Sequence, residues 1–220
     1  MLEAAKSNFK ANYDDVKRLI EIHGEMTGGR QGRPPNLEPI NKAIIISLCA
    51  CWEVYVEDVC KEGISVLVNL LNDPELLSSE LKARIGDRIL NEKPGSPLRL
   101  WNLAGDRWKD IAVNFVSELC NSMHAPASKT VIKSVEIVFG IKDISTHWTW
   151  QKMEPKRACA KLDDLVKLRG SLAHGKVPEN GVNRWVTSQF NAHIPRLVGA
   201  TNDAIVEHLK NLRAEGSPHA

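Results

Sequence analysis

Two side chains near the end of one predicted helix could act together in catalysis: Arg169 and, five positions later, His174. An arginine cannot lose its proton in a protein, so on an apolar helix face it needs a carboxylate, a phosphate or a partner surface. A histidine exchanges a proton near neutral pH and can serve as a general acid or base. Together they suit a site that binds a phosphate group and moves protons.

The helix that positions this pair is predicted to run from Pro155 to Gly175. Its apolar residues recur at helical spacing and form one stripe. They are Ala158, Leu162, Leu165, Val166, Leu172 and Ala173. Arg169 falls on the same stripe, where a charge is out of place. Gly175 is expected to cap the C-terminus of the helix, and Pro178 follows as a breaker.

A second helix is expected to form the centre of the fold, with Asn36 as its N-cap. Its apolar face is too wide for a surface helix. That face contains Ile44, Ile45, Leu48, Trp52, Tyr55, Val56 and Val59. On its flank, Glu57 is predicted to pair with Lys61 one turn later. For Glu53, a buried ion pair with Arg169 and an ordinary solvated position are both open.

The remaining segments are also predicted to be helical. Apolar residues recur at helical spacing over 1–25, 73–90, 98–123, 128–140 and 183–213. Pro195 is expected to kink or restart the last of these. No stretch alternates with the period of a β-strand. We therefore predict an all-α, single-domain bundle of about six or seven helices over residues 1–214, with a flexible tail at 215–220.

Most of the tryptophans are predicted to serve the core. Trp101 and Trp108 lie in the apolar stripe of the 98–123 segment, where core packing is far commoner than a platform for stacking bases. Trp148 and Trp150 lie in an irregular segment, and a packed loop is favoured there over contact with bases.

Composition constrains the compartment more than the ligand. Lys and Arg number 29 and Asp and Glu 27, so the net charge of +2 gives no overall attraction for duplex nucleic acid. The basic 28–35 loop is expected to be solvated, with contact to RNA as the alternative.

The five cysteines lack zinc-ligand spacing and favour free thiols in a reducing compartment. No apolar run reaches membrane-spanning length, so we expect a cytoplasmic protein without metal or cofactor.

The motifs of several common enzyme classes are absent from the sequence. It contains no Walker loop, no dinucleotide glycine fingerprint, no HExxH and no GxSxG. His23, His124, His193 and His208 stand apart from Cys or Asp at ligand spacing, and they are predicted to be ordinary surface or hydrogen-bonded histidines. The arginine-histidine pair remains the candidate site.

Two regions resemble one family. Arg169, four intervening residues and His174 at a helix end, followed by Gly175, resemble the Arg-x4-6-His motif of HEPN-domain ribonucleases. The central helix AIIISLCACWEVYVEDVCKE, from Ala43 to Glu62, resembles the aromatic and acidic core helix of one HEPN branch, the RiboL-PSP-HEPN and MAE-like group. The two regions agree in order along an all-α chain.

This resemblance implies a metal-independent endoribonuclease, usually a homodimer in which two motifs meet across the interface in a composite active site. Arg169 would bind the phosphate and its developing charge, and His174 would transfer protons. Single-stranded RNA would be cut through its 2′-hydroxyl, giving a 2′,3′-cyclic phosphate and a 5′-hydroxyl. Glu53, Gly170 and Ser171 are expected to support the site. The implied role is a toxin of a toxin-antitoxin or phage-defence system, with an antitoxin protein as a further partner.

Two features bear on activity. Five positions on an ideal helix are about 140° apart, so one chain aims Arg169 and His174 poorly at one atom unless a second chain or a frayed last turn intervenes. Gly170 stands where a polar residue is frequent in these nucleases, and a helix-interior glycine costs about 1 kcal/mol relative to alanine. Close approach of helices at a dimer interface would explain Gly170, as would drift of an inactive copy.

The alternative function is a non-catalytic module for dimerisation or partner docking, with Arg169 ion-paired to Glu53 and His174 as a helix cap.

Overall fold

The computed structural model describes residues 1–28, 37–91, 101, 103–176, 178–179 and 181–215. Within these ranges the chain is all-α, as predicted, with no strands and an isolated β-bridge between Trp150 and Met153. The α-helices are α1 Glu3–Thr27, α2 Glu38–Leu70, α3 Ser79–Asn91, α4 Arg107–Asn121, α5 Ser128–Phe139, α6 Pro155–Ala173, α7 Arg184–Asn191 and α8 Ile194–Glu215, and short 3-10 helices lie at Pro74–Leu76 and Ile144–His147. No helix of the described chain is long and apolar enough to cross a membrane.

Helix α2 is the centre of the fold, as its wide apolar face predicted. Helices α1, α4, α5, α6, α7 and α8 all pack against it. At Gly63 the packing is so close that an added Cβ would overlap the ring of Phe139, so a larger residue would force a shift in the core. On the outer side of α2, Lys61 pairs with Glu57 at 3.1 Å, which confirms the predicted ion pair.

Two tryptophans tie α2 to its neighbours through their polar edges. Trp52 donates its indole N–H to the carbonyl of Pro126 at 3.0 Å. Trp148 packs edge-on against Trp52, with ring centroids 6.3 Å apart, and donates to Thr201 Oγ1 at 2.9 Å. Both side chains are fully buried, and a buried indole N–H needs such an acceptor. The prediction of a packed loop around Trp148 is confirmed.

Helix α1 lies along α2 and reaches α7. The carboxylate of Glu62 in α2 accepts the N–H groups of Ala4 at 3.3 Å and Ala5 at 2.8 Å, so a negative charge sits at the positive end of α1. Near the middle of α1, the Tyr13 hydroxyl donates to Asn191 Oδ1 at 2.7 Å. These contacts bring α7 to the same side of the bundle as α1.

The start of α4 differs from the prediction. The helix begins at Arg107, because Gly105 takes a left-handed backbone with φ of +62° and interrupts the chain before it. Trp108 is buried as expected, but Trp101 is 71% exposed, so its predicted core position is wrong. The apolar spacing that placed Trp101 on the stripe does not hold across the interruption.

The C-terminal helical region is divided rather than bent. Helix α7 ends at Asn191, and α8 begins at Ile194 with Pro195 as its second residue. Proline fits the first turn of a helix because its missing N–H would have no partner there. The predicted N-cap Asn36, most of the 28–35 loop and the end of the tail lie outside the described residues.

Candidate functional site at the end of α6

Arg169 lies on the apolar face of α6, as its spacing predicted. It follows the buried Leu165 by one turn and is itself half-buried. Burial raises the pKa of the Cys49 thiol in α2 to about 11, while the nearby charge of Arg169 opposes the shift and that of Glu53 adds to it. Arg169, Cys49 and Glu53 therefore form one cluster between α6 and α2. The thiol stays protonated at neutral pH, so it is not a nucleophile there.

The ion pair considered between Arg169 and Glu53 does not form. The Arg169 side chain makes no ion pair or hydrogen bond with any described residue. Glu53 instead faces His124, with 3.9 Å between Nδ1 of the histidine and the nearer carboxylate oxygen. The Glu53 side chain is 20% exposed and that of His124 is 83% exposed. The cluster thus holds a half-buried cation that the described chain leaves without a counter-charge at contact distance.

His174 closes α6 in a Schellman cap. Gly175 takes a left-handed backbone, with φ of +71°. Its N–H donates to the carbonyl of Leu172 at 3.1 Å, and the N–H of Lys176 donates to the carbonyl of Ser171 at 2.9 Å. The predicted cap at Gly175 is confirmed, and its hydrogen bonds close the last turn, which is therefore not frayed. His174 is exposed, so its imidazole is open to a substrate or a second chain.

The two residues that follow Arg169 have different surroundings. The Ser171 hydroxyl donates to the carbonyl of Lys167 at 3.1 Å, a bond within the helix that is common for serine. The hydroxyl proton is therefore already engaged in a hydrogen bond. An added Cβ on Gly170 would meet no atom within 4 Å. Nothing described in the same chain packs closely against Gly170, so intrachain packing does not explain the glycine.

Asp163 anchors α6 to α5, and no local sequence pattern pointed to it. Its carboxylate accepts the backbone N–H of Ser128 at 2.7 Å and the Ser128 hydroxyl at 2.9 Å. A carboxylate at this helix start takes the part that a local N-cap side chain usually plays. Asp163 and Ser128 are 35 residues apart, and no local spacing rule pairs residues so distant. This contact holds α6 against the start of α5.

Two other histidines are used by the fold, as predicted. The ring of His193 is within 3.2 Å of the Ala158 carbonyl through Nε2, and that of His208 is within 2.9 Å of the Phe139 carbonyl. Burial, with the Lys161 charge, lowers the pKa of His193 to about 4, so the ring is neutral at pH 7. Among the described residues, no group of three His, Cys, Asp or Glu side chains is placed to hold a metal ion.

A surface cavity of about 690 Å³ lies away from this cluster, between the end of α2 and the start of α4. Ser65 and Asn69 line one side of it, and Asp106, Arg107 and Asp110 line the other. None of the predicted site residues contributes to its wall. The candidate site is therefore an open cluster at the α2–α6 junction and not this cavity.

Comparison with known proteins identifies the family. Neither a search of the curated proteins nor a search of the solved structures finds a significant match. The family model described as RiboL-PSP-HEPN matches residues 7–207, a span that contains α2, the arginine-histidine motif and nearly all of the bundle. The chain belongs to the RiboL-PSP-HEPN family.

Proposed function

We propose that the protein is a metal-independent endoribonuclease that cleaves single-stranded RNA and acts as a homodimer. The observation that carries this proposal is the state of Arg169, a half-buried guanidinium without an ion pair or hydrogen bond among the described residues. Desolvating a charge is costly unless a counter-charge meets it. A phosphate would be that counter-charge, and the arginine fork binds phosphate oxygens in pairs.

The chemistry that fits these groups is transfer of the phosphate within the RNA. The O2′–P bond forms as a general base takes the 2′-hydroxyl proton, and the P–O5′ bond breaks as a general acid protonates the leaving O5′. Arg169 would stabilise the extra negative charge on the phosphorane. The products are a 2′,3′-cyclic phosphate and a 5′-hydroxyl, and no water molecule or metal ion is consumed in this step.

A second copy of the chain supplies what one copy lacks. The base and the acid act on opposite sides of the phosphorus, and the motif of one chain contains one histidine. On an ideal helix positions 169 and 174 are about 140° apart, and the Schellman cap keeps the last turn from fraying. A twofold arrangement would place His174 of one chain and the partner's His174 on either side of one phosphate, between two arginines.

A surface suited to this second copy lies beside the cluster. Helix α2 leaves an apolar stripe uncovered, consisting of Ile46 at 42% exposure, exposed Ala50 and Val54 at 38% exposure. These residues recur every four positions and adjoin Glu53 on the same helix. An exposed apolar stripe on the central helix of a bundle is typical of an interface. Burying it against its own copy would bring the two Arg169 clusters towards each other.

The test is cleavage of a labelled single-stranded RNA by wild type, Arg169→Ala and His174→Ala, all with EDTA. We expect loss of about 10² to 10³-fold for the arginine variant and about 10² to 10⁴-fold for the histidine variant. His147→Ala is the matched control, because it removes an exposed histidine outside the motif, at the end of the 3-10 helix Ile144–His147. This variant should cleave normally. Equal cleavage by all four proteins, or loss of activity in EDTA, would contradict the proposal.

The cellular role that fits such an enzyme is a toxin of a toxin-antitoxin or phage-defence system, held in check by an antitoxin protein. Expression in a bacterial host should then arrest growth with wild type and not with His174→Ala, at equal protein levels. The alternative, a docking module held together by an Arg169–Glu53 ion pair, loses its main structural support because that pair is not formed.

A further inference from the structure

We propose that the flank built by α6, α7 and the start of α8 is a second RNA-binding surface, on which Arg157, Lys161 and Arg196 bind phosphates and Trp185 stacks on a base. It rests on the proposed function only for the identity of the ligand as RNA. The surface would hold the strand on one side of the arginine-histidine cluster and lead it there.

Three cations lie together on this flank. Arg157 and Lys161 come from α6 and Arg196 from α8, and none of the three is in an ion pair with a described residue. Burial lowers the pKa of Lys161, and the charges that add to this shift are those of Arg157 and Arg196. Three cations on two helices therefore lie close enough to repel one another, an arrangement that an approaching anion relieves.

Neutral hydrogen-bond acceptors hold two of these cations in position. Lys161 Nζ donates to Gln189 Oε1 at 3.2 Å, and an Arg157 guanidinium nitrogen donates to the carbonyl of Lys152 at 3.3 Å. Neither acceptor carries a charge, so both cations are oriented without being neutralised. Arg157 and Arg196 are exposed and within reach of a phosphate in solution.

An exposed tryptophan completes the surface. Trp185 is 69% exposed and lies one turn before Gln189, so the two share a face of α7. That face is directed at α6, because Gln189 contacts Lys161. Exposed indole rings beside cations can stack on the bases of a single strand while the cations bind its phosphates. An acidic peptide would not require the exposed indole ring.

The direction of α7 places Trp185 towards the motif. His193, just after α7, contacts Ala158 early in α6, whereas Gln189 contacts Lys161 one turn later in α6. The two helices are therefore antiparallel, and Trp185 at the start of α7 lies near the part of α6 that approaches Arg169. Lys161 and Arg169 are separated by about 12 Å along the axis of α6, a distance that a short stretch of RNA spans.

The test measures RNA binding in the His174→Ala background, so that cleavage does not interfere. A fluorescent single-stranded RNA is titrated at several salt concentrations with the background protein and with two further variants, Arg157→Gln/Arg196→Gln and Trp185→Ala. The matched controls are Lys129→Gln/Lys142→Gln, which removes two exposed charges elsewhere, and Trp101→Ala, which removes a tryptophan that is 71% exposed. Thermal unfolding of each variant checks that the fold is retained.

We expect the double arginine variant to bind about tenfold or more weakly at low salt and to reduce the slope of log K against log salt by about 1.4, for two lost phosphate contacts on a single strand. Trp185→Ala should weaken binding about fivefold or more at every salt concentration. Binding equal to that of the control variants would overturn the proposal, as would failure of the background protein to bind RNA. Binding of polyglutamate that displaces RNA and is insensitive to Trp185→Ala would also overturn it, in favour of an acidic protein partner.

Cleavage distinguishes this surface from the proposed enzyme. With His174 restored, the Arg157→Gln/Arg196→Gln protein should cleave a dinucleotide as wild type does and a long RNA more slowly. If RNA binds to this flank and nothing is cleaved, the surface stands and the enzyme fails. If both substrates are cleaved at wild-type rates, the enzyme stands and the surface fails.

Discussion

The two halves of α6 use their polar groups differently. In the first half, the Ala158 carbonyl meets His193, Lys161 meets Gln189, and Asp163 accepts two hydrogen bonds from Ser128. In the second half, Arg169 has no ion pair or hydrogen bond with a described residue, and His174 is exposed at the cap. We call the first half, which is held to α5, α7 and the α7–α8 turn, the fastened half. We call the second half, in which the side chains of Arg169 and His174 make no such contacts within the described chain, the presented half.

This difference separates residues that hold the fold from residues whose side chains make no polar contact with the described chain. A structural charge in a folded chain is normally met by its own chain, as Asp163 is, because an unmet charge near the interior costs free energy. Arg169 departs from that rule only six positions later. The fold tolerates this unpaired charge because the first half of α6 holds the helix in place without any contribution from Arg169.

The largest effect should be a loss of folding stability at acidic pH, through a contact of the fastened half of α6. His193 has a pKa of about 4 in the fold, lowered by burial and then by the charges of Lys161 and Arg196, against about 6.5 in the unfolded chain. Between these values the unfolded chain binds a proton that the folded chain does not, so stability is complete above pH 6.5 and falls as the pH drops towards 4. The loss approaches about 3 kcal/mol.

Urea unfolding of wild type and His193→Gln between pH 7 and pH 4.5 measures this loss. Glutamine can donate to the Ala158 carbonyl without titrating, so its free energy of unfolding should fall less over the same range. Carboxylates contribute equally to both proteins and cancel in the difference. The same pH dependence in both proteins would show that His193 is not the acid-sensitive contact of the fastened half.

An intermediate effect should distinguish Asp163 from Arg169 directly. Asp163→Ala leaves the start of α5 without its cap and should lower the free energy of unfolding by about 1 to 2 kcal/mol. Arg169→Met keeps an apolar stem of similar length and removes a charge with no contact partner, so stability should be unchanged or raised. Chemical denaturation measures both. A marked loss with Arg169→Met would place Arg169 among the fastening residues and reverse the comparison.

Local patterns predicted much of the presented half of α6. Apolar spacing placed Arg169 on the buried face, and glycine chemistry placed the cap at Gly175, because both depend on residues within two turns of each other. The same reasoning identified α2 as central. It failed at Trp101, where Gly105 interrupts the helix that the apolar spacing assumed.

Long-range contacts were beyond the same reasoning. The Asp163–Ser128 contact joins residues whose separation carries no pattern, and for Glu53 the sequence left both an ion pair with Arg169 and a solvated position open. Both charges act on Cys49, so the two side chains are neighbours, but they form no ion pair. Whether two neighbouring charges touch depends on the rotation of both helices and on side-chain rotamers, which local spacing does not determine.

The smallest effect tests whether the presented half of α6 packs against a second copy of the chain. An added Cβ at Gly170 meets no atom within 4 Å in its own chain, so Gly170→Ala should stabilise the isolated chain by about 1 kcal/mol through helix propensity. If the second copy packs closely here, the same methyl group should weaken the dimer. Gly86→Ala, in α3 and equally open around its Cβ, is the control that should stabilise the chain and leave dimerisation unchanged. Sedimentation equilibrium with urea unfolding at several protein concentrations separates the two terms. A Gly170→Ala protein with unchanged dimerisation would place the proposed twofold contact away from this part of α6, and the glycine would then need an explanation other than dimer packing.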